Sequence, residues 1–152
     1  MATRATLFSR TQPGGVYTIT DIEQHPGDVW FVKSGTGTDG AGYGQNPDSP
    51  FATIDYAIGQ CTASQGDVIY VLPGHAETCT AAVTCDVAGV SIIGLGKGRL
   101  IPALTNSGAH DLVTVTAANV MLKNLRLIGS AADCTALVNI AAADLTMLGR
   151  LF

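Results

Sequence analysis

The sequence predicts an all-β chain: a right-handed, single-stranded parallel β-helix of about three to four rungs, with a short N-terminal capping helix. Three observations carry this expectation. First, a segment repeats without gaps. Leu112-Val-Thr-Val-Thr-Ala-Ala-Asn-Val120 lies on Leu137-Val-Asn-Ile-Ala-Ala-Ala-Asp-Leu145 at an offset of 25, and Val83-Thr-Cys-Asp-Val-Ala-Gly-Val-Ser-Ile92 lies on Val113-Thr-Val-Thr-Ala-Ala-Asn-Val-Met-Leu122 at an offset of 30. Second, each copy alternates apolar and polar residues with period two, so one face of each strand is apolar and needs a neighbouring rung to bury it. Third, the 18 glycines are spread as turn formers along the whole chain, and residues 75–152 hold no convincing amphipathic helix.

The elements follow in order. Residues 1–26, with Arg4, Arg10, Pro13-Gly14-Gly15 and the alternating run Val16-Tyr-Thr-Ile19, read as an N-terminal arm. Residues 27–152 form the β-helix domain, with 27–65 as its opening segment and 66–152 as the rungs. Gly27-Asp-Val-Trp-Phe-Val-Lys33 reads as a strand, and the following Ser34–Asp48 is too glycine-rich for regular structure. A helix is expected from Ser49 as N-cap and Pro50 at the first helical position, with Phe51, Ile54 and Ile58 on one face and Gly59 as its stop. It would cover the open front of the coil. Gly66-Asp-Val-Ile-Tyr-Val-Leu-Pro-Gly74 supplies the first full rung. Then come strand pairs: Val83, Cys85, Val87 with Val90, Ile92; Val113, Val115, Ala117 with Val120, Leu122; and Val138, Ile140, Ala142 with Leu145, Met147. Stacking them about 4.8 Å apart makes a shared interior ladder. The five surplus residues of the longer offset are expected near Leu104–His110. A leucine-rich repeat has a similar length, but Leu122-Lys-Asn-Leu-Arg-Leu127 gives only a fragment of its pattern. A doubly wound α/β fold lacks its helices.

Ser49-Pro-Phe-Ala-Thr-Ile54, a short helix and then Gly66–Gly74 resemble the opening of pectate-lyase-like right-handed β-helix proteins. That group includes bacteriophage tail spikes and other virion proteins as well as polysaccharide lyases and hydrolases. The likeness spans roughly residues 27–149. It implies the coil, and it implies little about activity, because one fold serves many functions.

Composition narrows the function classes. Hydrophobic residues make up 47% of the chain, enough for a continuous core, and the formal charge of −4 is unevenly placed. Residues 21–86 hold nine acids against one base, Lys33, while residues 97–152 hold five bases against three acids. No basic run interleaved with aromatics exists to track phosphates, so nucleic acid is not expected as a partner. The first ten residues lack the apolar run of a signal peptide and no long apolar stretch follows, so a protein made in the cytoplasm and no membrane partner are expected. Cys61, Cys79, Cys85 and Cys134 show no Cys-x-x-Cys spacing and read as free thiols, with Cys85 buried by its place in the repeat.

Candidate chemistry is thin. Uronate lyases of the resembling fold use carboxylates to hold calcium, but Asp86, Thr116 and Ala141 share one repeat position, so no acid ladder forms. For an enzyme of this type the candidates are Asp111, Asp133 and Asp144 as acids with Lys123 and Arg126 as bases. A solvated turn residue is the better reading of each of the three aspartates. Asp39, Asn46 and Asp48 put oxygen ligands in one loop, without the spacing of a known calcium motif. Gly94-Leu-Gly-Lys-Gly-Arg99 lacks the closing Ser or Thr and the helix of a phosphate loop, and reads as a glycine corner. His25, His75 and His110 are widely spaced, each read as lying in a turn, and none is paired as His-x-x-x-His. No cofactor is expected.

The sequence ends Gly149-Arg-Leu-Phe152 without a polar cap, so either a longer protein continues the coil or a partner covers Leu151 and Phe152. The leading expectation is a non-enzymatic virion protein of a phage or prophage, of the capsid-decoration or spike kind. It would form a homo-oligomer, threefold or end-to-end, and attach to a larger particle through Arg4, Arg10 and the uncapped end. The alternative is a polysaccharide lyase or hydrolase, or the front part of one, with a glycan as partner.

Overall fold

An alternating strand with one apolar face can bury it only against other rungs, and the strands pair copy upon copy. The computed structural model describes residues 27–130, 132 and 134–149, and over these the chain winds as a parallel β-helix of about three turns. Its strands are β1 (Val29–Val32), β2 (Val68–Val71), β3 (Ala76–Cys79), β4 (Val83–Cys85), β5 (Ser91–Gly94), β6 (Ala103–Asn106), β7 (Val113–Val115), β8 (Met121–Lys123), β9 (Arg126–Gly129), β10 (Val138–Ile140) and β11 (Thr146–Leu148). One helix, α1 (Ile54–Ile58), lies between β1 and β2. Every pair among these described strands is parallel. They form a five-stranded sheet ordered β1-β2-β5-β8-β11 and two three-stranded sheets, β4-β7-β10 and β3-β6-β9.

The register is the one the repeat predicts. Val83 stands beside Val113 and Val113 beside Val138, and Cys85, Val115 and Ile140 form the next column. Inward residues of the five-stranded sheet, Trp30, Ile69, Ile92 and Leu122, continue the same core. The repeat corners also superimpose. Asn119 and Asp144, equivalent in sequence, both take the left-handed backbone, with φ of 59° and 61°.

Three expectations are corrected. The β3-β6-β9 sheet was not foreseen. Its inward column runs Glu77, Leu104, Leu127, and a charge at its head hides the apolar alternation. The helix begins later than Ser49. Thr53 is its N-cap, accepting from the Tyr56 N–H at 3.3 Å, while Pro50 and Phe51 stay outside the helix. Phe51 is held there by β1: its N–H donates to Phe31 O and its carbonyl accepts from Lys33 N–H, both at 2.8 Å. A helix starting at Ser49 would forfeit both bonds. Finally, the surplus residues lie chiefly before Leu104. Leu95–Pro102 joins β5 to β6, whereas Asn124 and Leu125 alone join β8 to β9. The longer corner is the glycine-rich one, and Gly94 is required there because a Cβ would sit 2.1 Å from Asn124 O.

The leading end of the coil is closed. Helix α1 buries Ile54, Ala57 and Ile58 and packs on β1, β2 and β4. The Phe51 ring fills the space between Trp30 and Tyr56, with centroids 5.5 and 5.0 Å away. Gly44 passes directly over it in the left-handed region (φ 84°), where any Cβ would strike the ring.

Candidate functional site

The side chains that close the leading end also build the chain's polar centre. Glu77 occupies an inward position on β3, where an unpaired carboxylate would be strongly unfavourable. It is paired twice through Oε2: the Ile54 N–H donates to it at 3.2 Å, and His75 Nε2 lies 3.0 Å away. The His75 side chain has no solvent exposure, and its Nδ1 accepts from the Ser34 N–H at 2.9 Å. That bond fixes the tautomer of the neutral ring, so Nε2 carries the proton and donates to Glu77. Ser34 Oγ in turn accepts from the Ala76 N–H at 2.8 Å.

Two further carboxylates hold the helix and its neighbour. Asp39 accepts from the Ala52 and Thr53 N–H groups and from the Thr53 hydroxyl, at 2.8, 3.1 and 2.8 Å. Asp55 Oδ1 accepts from the Thr84 N–H on β4 at 3.0 Å. A buried fourth, Asp67, accepts from Asp28 N–H at 2.8 Å and Thr62 N–H at 2.7 Å, tying β1 to the approach to β2. The first strand of every sheet thus makes bonds on its outer side: β1 to Gly44 and Phe51, β3 through Ala76 N–H to Ser34, and β4 through Thr84 N–H to Asp55.

Between α1 and β3 lies a cleft of about 240 Å³ lined by Thr53, Asp55, Glu77, Thr78, Cys79 and Thr80, among others. Its thiol belongs to the buried Cys79. Burial, and then the nearby charges of Glu77 and Asp55, push Cys79 up to about 12, so it stays protonated at neutral pH. Burial likewise pushes Cys61 and Cys85 up to about 12. What remains for chemistry is a pair of carboxylates, each already accepting backbone N–H groups that fix the fold. Among the described residues no group of three or more His, Cys, Asp or Glu side chains converges as a metal site. No helix among them is long and apolar enough to cross a membrane.

The residues singled out from the sequence fall elsewhere. Asp111 sits in the corner between β6 and β7, where Oδ2 accepts from Asn139 Nδ2 at 2.6 Å, while its Oδ1 and His110 Nε2 are buried without partners. Asp144 is an exposed corner residue between β10 and β11. Lys123 ends β8 on the outer face of the five-stranded sheet, whereas Arg126 begins β9 in register with Ala103. The candidate catalytic set is thus spread over three parts of the coil, and Asp133 lies outside the described residues. Asp39 accepts from Ala52 and Thr53 just ahead of the helix, and Asn46 Oδ1 accepts from the Asp48 N–H at 2.9 Å in a local turn, so the oxygens of Asp39 and Asn46 are engaged locally. Arg4, Arg10, Leu151 and Phe152 also lie outside the described residues.

The trailing end differs from the leading one. The sheets end on β9, β10 and β11, and among the described residues no helix or loop covers this rung. Ile140 is 54% exposed, although Val115 and Cys85 in its own column are 0% and 1% exposed. Leu137 and Leu148 are also exposed. The chain matches no protein-family model, no curated protein and no solved structure.

Proposed function

We propose that this chain is a structural, non-enzymatic assembly protein, a rigid β-helix that associates through its trailing rung. The observation that carries the reading is the exposure of Leu137, Ile140 and Leu148 beside the edges of β10 and β11, on which no further strand pairs among the described residues. An apolar surface next to unpaired strand edges gains from a partner, because burial and ladder hydrogen bonds are made together. At the leading end β1, β3 and β4 already bond residues 34–55, so contact between two trailing ends is favoured over a head-to-tail filament. A setting in a phage or prophage particle, as a decoration or spike protein held by the arm through Arg4 and Arg10, rests on the resemblance of residues 49–74 to pectate-lyase-like coils. Leu151 and Phe152 would extend the same interface.

Light scattering over a hundredfold concentration range tests the reading. The wild-type chain is expected to form a homo-oligomer and the Ile140→Asp, Leu148→Asp variant a folded monomer. A wild-type chain that is monomeric throughout would overturn it. The cleft beside Asp55 and Glu77 favours a second reading, a glycan-cleaving enzyme. That reading requires polysaccharide cleavage that Glu77→Gln abolishes while the fold is kept.

A further inference from the structure

We infer that the outer face of the five-stranded sheet is the seat of the chain's own N-terminal arm, residues 16–22, independently of the assembly reading. The register divides that sheet into two faces. Trp30, Ile69, Ile92, Leu122 and Met147 point inward, so Phe31, Tyr70, Ile93, Lys123 and Leu148 form a column outside, with Val29, Val68, Ser91, Met121 and Thr146 beside it. On a sheet whose back faces water, these columns should be polar and exposed. Instead they are mostly apolar. Val68 and Ile93 are each only 3% exposed, yet neither belongs to the core cluster that contains their inward neighbours Ile69 and Ile92. Phe31 and Tyr70 stack on this face with centroids 6.0 Å apart. A second, outer apolar layer therefore exists on one side of the coil.

The occupant is argued from reach and pattern. Residues 1–26 join the coil at Gly27, immediately before β1, and β1 is the edge strand of this same sheet. Crossing five strands spans about 19 Å, the reach of about six extended residues, so the arm has length to spare. Its segment Val16-Tyr-Thr-Ile-Thr-Asp-Ile22 is apolar and alternating, the composition such a face would take, and it carries Asp21 for the side on which Lys123 stands. Pro13-Gly14-Gly15 sets the preceding residues, with Arg4 and Arg10, apart from it.

The full chain with photoreactive benzoylphenylalanine in place of Phe31 tests this directly. Irradiation is expected to give a crosslink to residues 16–22 that migrates at the monomer mass and has the same yield over a hundredfold dilution. Crosslinks to a second chain, crosslinks only to residues beyond 26, or none at all would each overturn the inference. A second measurement uses the Tyr17→Asp, Ile19→Asp variant and the dye anilinonaphthalene sulfonate. Its fluorescence is expected to rise at least threefold while the melt stays cooperative, and an unchanged signal would count against the arm as cover.

Discussion

One column of the repeat sets up a comparison between chemically similar side chains in unlike surroundings. Val115 and Ile140 occupy equivalent positions in adjacent rungs, and one is fully buried while the other is 54% exposed. Val115→Ala removes two buried carbons, about 1.6 kcal/mol of transfer free energy at about 0.8 kcal/mol each. A rung clamped on both sides cannot collapse, so the void adds about 1 kcal/mol, for a loss of about 2.5 kcal/mol. Ile140→Ala removes three carbons, but with half its surface already wet and no void created the loss is about 1 kcal/mol. The smaller side chain is thus expected to matter more. Urea unfolding at low micromolar concentration, analysed with a common slope, measures both, and the thermal midpoints should fall by about 5–10 °C and 2–4 °C respectively. If Ile140→Ala proved as damaging as Val115→Ala in a dilute monomer, the trailing rung would be covered from within the chain. If the cost of Ile140→Ala rose with concentration, a second copy would be supplying the cover.

Four further outcomes follow from named residues. His75→Ala leaves the Ser34 N–H and one side of Glu77 without partners inside the fold, and should lose about 2–4 kcal/mol in urea unfolding. The folded chain should leave Cys61, Cys79 and Cys85 unreactive toward a disulfide reagent at pH 8, and all three should react once urea is added. Their folded values of about 12 lie above the value near 9 of a free thiol, so the unfolded chain alone releases these protons; stability is full below pH 9 and declines as pH rises toward 12. Asn119→Gly should be neutral or slightly stabilising, whereas Asn119→Val, forced to φ 59°, should lose about 1–2 kcal/mol by thermal melting.

The coil was legible because its stacking columns repeat the same kinds of side chain. Val83, Val113 and Val138 announce their own register, and Asn119 and Asp144 betray a shared corner geometry. The third sheet was hidden because Ala76-Glu-Thr-Cys79, Ala103-Leu-Thr-Asn106 and Arg126-Leu-Ile-Gly129 share no side-chain pattern and pair at offsets that uneven corners shift. The polar centre was less legible still. Glu77, His75, Asp55 and Asp67 act through long-range bonds to backbone groups, and a backbone N–H leaves no signature in a residue string. The one available signal was Glu77 at a position that later rungs fill with leucine. The placement of Asp144 as a turn residue held, because turn preference is local.

The contrast between the two ends gives the molecule a direction. With β1 bonded by the backbone of Gly44 and Phe51, and β3 and β4 by the side chains of Ser34 and Asp55, a duplicated rung inserted at the front would have to reproduce that whole lock. The same insert placed after Ala117 would need only to continue columns already laid down, lengthening the rod by about 4.8 Å for each added turn. Growth of this scaffold, by engineering or by gene duplication, is therefore one-sided.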